Sequence, residues 1–118
     1  MKTILIVLIV YFICFAHSQN NFEEKNNKKI FDEHVKKFIS LLNHKDMNQR
    51  KWAVEQLAPF GDIIIPTLMD KFSEKDYTFR REVVFVLSQI GSQKAKDILL
   101  TLLYDPDYGV RNRASDWK

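Results

Sequence analysis

Cysteine is almost missing: the 118 residues hold one, Cys14, inside an N-terminal apolar run. A chain that loses this run keeps no cysteine, which excludes disulfides, thiolate catalysis and cysteine-based metal sites. Proline and glycine number three each, too few for a collagen-like or low-complexity chain. No later segment alternates polar and apolar residues as a strand does, and no Asn-Gly or Asp-Gly hairpin turn occurs. A large charge of one sign is missing as well. Eighteen Lys and Arg stand against fifteen Asp and Glu, a net +3, so the clustered basic footprint of a nucleic-acid-binding protein is not there. Nor is there a Gly-rich phosphate loop, a nucleophile elbow, or a Ser, His, Asp set with supporting context.

What is there begins with "MKTILIVLIVYFICFAHS". Lys2 supplies a positive start, Thr3 to Ala16 an apolar run, and "AHS" small residues before a cut after Ser18. The run is shorter than the roughly 20 apolar residues of a membrane span. The expectation is a cleaved secretory signal over 1–18 and an extracytoplasmic product, periplasmic or secreted. An uncleaved anchor is the alternative. Cys14 follows Ile13, which does not fit a lipid-attachment site. Residues 19–28, with "QNNFEEKNN", read as a polar linker. The remaining residues, 29–118, exceed the roughly 40 below which a fold needs staples.

From Lys28 onward apolar residues recur every three or four positions, beginning with Phe31, Val35, Phe38, Ile39 and Leu42, which is the helix period. The helices also repeat. "DMNQRKWAVEQLAPFG" (46–61) lies over "DYTFRREVVFVLSQIG" (76–91) and then over "DYGVRNRASDWK" (107–118). Asp46 meets Asp76 and Asp107; Arg50 meets Arg80 and Arg111; Ala53 meets Val83 and Ala114; Leu57 meets Leu87; Gly61 meets Gly91. Each Asp is placed to cap a first turn, and Asp46 with Gln49 has capping-box spacing. Gly61 and Gly91 stand where a helix ends in a left-handed residue. Ile65, Leu68, Met69 and Phe72, with Pro66 in the first turn, and then Ile98, Leu99, Leu102 and Leu103, line the second helix of each pair. The expected fold is all-α, an α–α superhelix: a leading helix near 29–43, then helix pairs starting near 46, 76 and 107, the last incomplete.

Asp105-Pro106-Asp107 followed by Val110-Arg111 and Ala114, with a period near 30, resembles the short HEAT repeats named after phycobilin lyases. The resemblance covers about residues 29–118. It departs at "NHKD" and "SEKD", which replace the Asp-Pro-Asp turn, and at Gln49, Phe79 and Val83. It implies a scaffold that binds other proteins, with the second helix of each pair lining an inner surface. It also implies that the repeat Asp and Arg residues, Asp46, Asp76 and Asp107 with Arg50, Arg80 and Arg111, link neighbouring repeats through a polar ladder.

Candidates for chemistry are few. His34 and His44 have no metal-ligand spacing, and a turn with a helix cap accounts for Asp105 and Asp107. Arg80, Arg81, Arg111 and Arg113 form either inter-repeat bonds to carboxylates or a basic stripe for an acidic partner. Trp52 reads as packing. Val110, Ala114 and Trp117 make a terminal apolar stripe that folds back over Leu102 and Leu103, meets a partner or a second copy, or marks a truncated array. No cofactor or metal is expected. The functional expectation is an exported, non-enzymatic protein-binding scaffold without nucleic-acid partner or stable membrane span after cleavage. An accessory lyase-like enzyme is the alternative.

Overall fold

Helix α1 (Lys2–Ser40) precedes α2 (Met47–Leu57), a 3-10 helix (Ala58–Ile64), α3 (Ile65–Asp70), α4 (Tyr77–Ile90), α5 (Gln93–Leu102) and α6 (Tyr108–Ser115). These elements belong to a computed structural model that describes residues 2–72 and 76–117, with side chains except those of 2–5 and 15–20. The fold is all-α, with no strand among the described residues. It divides into two units, 1–34 and 35–118.

In the first unit the described apolar side chains Ile6 to Ile13, and Phe22, are exposed. No helix among the described residues is long and apolar enough to cross a membrane. Residues 19–28 differ from the expected linker in being helical. They lack a packing period, but they contain no Gly or Pro to stop a helix, and Glu24 and Lys28 have the helix-supporting i, i+4 order. The side chains around the expected cut, Ala16 to Ser18, lie outside the described residues.

The second unit is built from stacked helix pairs. Val35, Ile39 and Leu42 are buried and form the leading layer. Helix α2 then pairs with the 3-10 helix, which also packs on α3, and α4 pairs with α5, while α6 packs on α4 and α5. Helices α2, α4, α5 and α6 each start where a side-chain acceptor satisfies a free N–H group. Asp46 accepts from Asn48 N at 2.9 Å, Asp76 from Phe79 N at 3.0 Å, Ser92 from Ala95 N at 3.1 Å and Asp107 from Val110 N at 3.0 Å. The capping box does not close. Gln49 makes no hydrogen bond back to Asp46, whose own N–H donates to His44 Nδ1 at 3.0 Å.

The two repeat glycines end differently. Gly91 (φ 65°, ψ 9°) is the left-handed end of α4, and its N–H donates to Leu87 O. Gly61 (φ 69°, ψ −148°) does not close α2, which ends four residues earlier at Leu57. Pro59 explains the early stop: it has no N–H for an α-helical bond and clashes with the preceding turn, so the chain tightens into 3-10 winding. Helix α4 is the centre of the unit. It packs against α2, the 3-10 helix, α5 and α6, so it buries Val83, Val84, Val86 and Leu87 and even the polar Arg80 and Glu82.

Candidate functional site

The ladder residues come together in a register the sequence does not reveal. Arg80 does not reach the capping Asp107. It forms a fork with Asp105, Nε to Oδ2 at 3.0 Å and Nη2 to Oδ1 at 3.2 Å, with side-chain exposures of 4% and 5%. Asp105 Oδ1 also accepts from Asp107 N at 2.9 Å, so the Asp-Pro-Asp turn is an anchor for the preceding repeat. Asp107 is reached by Arg81 instead, Nε at 2.8 Å and Nη2 at 3.0 Å. That guanidinium lies over Gly109, where any Cβ would collide with it. The hydrogen bonds from Arg81 hold the Asp107 carboxyl below its ordinary value, helped by Val110 N, while Asp107 raises Arg81 in turn.

Arg50 and Arg111 share a different role. Arg50 Nη1 donates to His44 O at 2.7 Å and Lys45 O at 3.2 Å; Arg111 Nη1 donates to Asp105 O at 2.7 Å and Pro106 O at 2.9 Å. Both tie a helix to its own preceding loop at i−6 and i−5. The matching carbonyls for Arg80, at 74 and 75, lie outside the described residues, as does most of "SEKD". Asp76 is joined to the previous layer by Asn43 Nδ2 at 3.0 Å, and Ser92 Oγ donates to Asp62 Oδ1 at 2.5 Å. Of the repeat aspartates Asp46, Asp76 and Asp107, only Asp107 takes an arginine among the described residues, and that arginine is Arg81.

Val110 and Ala114 are buried, and Trp117 is half-buried with Lys96 Nζ 5.8 Å from its ring centroid. Val110 and Ala114 lie where α6 packs on α4 and α5. Trp52 is 42% exposed and meets Phe38 edge to face, with centroids 5.2 Å apart. His34 is exposed, and no group of metal-ligating side chains occurs among the described residues.

The concave feature with the most chemistry is a groove of about 370 Å³ across α2, α4 and α6. Its floor is apolar: Val54 is buried, while Met47 and Phe85 are 68% and 39% exposed. Glu82 sits between two arginines. Its Oε1 is 3.4 Å from Arg50 Nε and 3.7 Å from Arg113 Nη1. Both nitrogens are buried, and neither makes a hydrogen bond. The Arg113 guanidinium carbon lies 4.3 Å from the Phe85 ring centroid, a cation–π distance. Lys51 and Glu55 add one charge of each sign. The sequence reading groups Arg80, Arg81, Arg111 and Arg113 as a basic stripe but misses the Glu82 bracket. The available signal is that Glu82 and Arg113 occupy the same repeat position with opposite charge.

Stacked antiparallel helix pairs, capped by Asp or Ser and joined loop to helix, define the class of helical-repeat proteins. A family model of HEAT repeats matches residues 35–116, and the chain belongs to the HEAT-repeat family. Comparison with curated proteins and with solved structures returned no match.

Proposed function

We propose that this HEAT-repeat chain is an exported, non-enzymatic scaffold that binds another protein through the groove of α2, α4 and α6. HEAT repeats generally mediate protein–protein interaction. The observation that carries the reading is the groove itself, where exposed Phe85 and Met47 lie beside charged side chains. Such an apolar floor with a polar rim is the anatomy of a recognition surface. The export part rests on the first eighteen residues, whose charged start and short apolar run have the order of a secretory signal. Relation to the phycobilin-lyase type of HEAT repeat rests on the Asp105-Pro106-Asp107 turn with Val110, Arg111 and Ala114.

Photo-crosslinking in the producing cell tests the scaffold. A photoreactive residue at position 85 gives a discrete protein adduct, while one at exposed Leu100 on α5 does not. The same pattern at both positions, or none at 85, overturns it. N-terminal sequencing of the exported protein tests the signal and finds Gln19 first; an intact Met1 end on a cytosolic product overturns export. Mixing the protein with a bilin and an acceptor protein tests the lyase-like alternative. A covalent bilin adduct would replace the scaffold reading.

A further inference from the structure

We infer that the groove of α2, α4 and α6 recognises a partner segment presenting an Asp or Glu carboxylate beside a bulky apolar side chain. The inference rests on the protein-binding reading above and names the chemistry of the partner. Two guanidiniums here share one carboxylate. Arg50 spends Nη1 on its own loop, and its Nε faces Glu82 Oε1 at 3.4 Å without making a hydrogen bond. Arg113 makes no hydrogen bond to any described residue; it is held only by the long ion pair to Glu82 and by the Phe85 ring.

Both nitrogens are enclosed and face Glu82 at ion-pair distance, so one carboxylate serves two guanidiniums, while the Arg113 side chain stays 32% exposed where it lines the groove. Glu82 balances one of the two arginine charges, and Glu55 balances Lys51, so one positive charge remains at the groove. An incoming carboxylate answers that charge, and a guanidinium receives it with two parallel donors. Phe85, already beneath Arg113, and Met47 offer an apolar floor for the neighbouring partner side chain. Arg113 serves as the reader because Arg50 is committed to holding the loop.

The test is peptide phage display on the immobilised full-length chain, followed by affinity measurement with the selected peptides. Enrichment of Asp or Glu next to an apolar residue is expected. Arg113→Gln then weakens binding by at least about tenfold, since a charge-assisted bond is lost. Arg113→Lys recovers only part of it, because Lys keeps the charge without the fork. Phe85→Ala weakens the same peptides, and circular dichroism checks that each variant keeps its helix content. Peptides that are enriched but lack a carboxylate, carry Lys or Arg instead, or bind Arg113→Gln undiminished overturn this inference and leave the protein-binding reading standing. Absence of any enriched peptide also overturns it, and crosslinking at position 85 then decides the protein-binding reading separately.

Discussion

Asp107 holds the start of α6 and the side chain of Arg81 at once. Its depressed carboxyl sets the sign of a pH effect. A carboxylate with a lower value in the folded than in the unfolded state stabilises the fold above its ordinary value of about 3.8, and that stabilisation is lost as the pH falls through the folded value. Asp107→Asn keeps a good cap but gives up the Arg81 fork. It lowers stability at neutral pH by at most about 1 kcal/mol, since the pair is partly exposed. At acid pH the difference from the parent chain shrinks as the pH falls through the lowered folded value, because the parent carboxylate is then protonated too. Urea titrations at both pH values check this, and an unchanged gap at acid pH would sink it. Gly109→Ala has the same signature: a Cβ displaces Arg81, so its pH dependence flattens although alanine favours a helix by up to about 1 kcal/mol. Asp105 is the larger loss. Asp105→Ala removes both acceptors of buried Arg80, one of which also accepts from Asp107 N, at a cost of about 3–5 kcal/mol. A shift in the urea midpoint no larger than that of Asp107→Asn would contradict the buried-anchor role.

At the scale of elements, the two repeat glycines occupy equivalent sequence positions but different conformations. Gly91 is in the left-handed helical region, where alanine costs about 1–2 kcal/mol and asparagine less. Gly61, with ψ near −148°, sits close to a region that is essentially confined to glycine, where strain is about 1–3 kcal/mol. Asparagine therefore rescues position 91 relative to alanine and does nothing for position 61. Nothing lies within 4 Å of a Cβ built at Gly61, so the cost there is backbone conformation alone. Thermal melts of the four variants check the contrast; equal rescue at both sites would mean that Gly61 is an ordinary helix end. Sequence alignment alone made these glycines look alike. Pro59 distinguishes the first unit, and it is visible in the sequence, but its consequence depends on where the next helix must begin to bury Ile64 and Ile65.

For residues 35–118 as a whole, α4 carries the stack. It touches elements on both sides, whereas α6 packs only on α4 and α5 among the main contacts. In a repeat array, stability is close to a sum over neighbours, and protection from exchange follows local stability. Hydrogen exchange followed by mass spectrometry will show α4 amides as the slowest in the unit and α6 amides exchanging sooner. Equal rates would mean that the unit opens only as one piece. Leu87→Ala, in the most buried stretch of α4, lowers stability by about 2–5 kcal/mol, a large share of the 5–15 kcal/mol typical of a domain.

The sequence by itself determined the helix class, the period of the repeats, and the aspartates that start α2, α4 and α6. Those signals are local: a cap acts over three residues and an apolar face over three or four. The sequence also placed Pro66 in the first turn of α3 and Leu57 and Leu87 on buried faces. Only the tertiary structure decided which arginine meets which carboxylate. Arg80 and Arg81 are neighbours on one helix and point about 100° apart, so a small offset between stacked repeats selects Asp105 for one and Asp107 for the other. The same offset brings Glu82 between Arg50 and Arg113 and opens the groove beside Phe85. That offset is set by how the apolar side chains of α2, α4 and α6 interlock, a property of their three-dimensional packing that local sequence spacing does not encode.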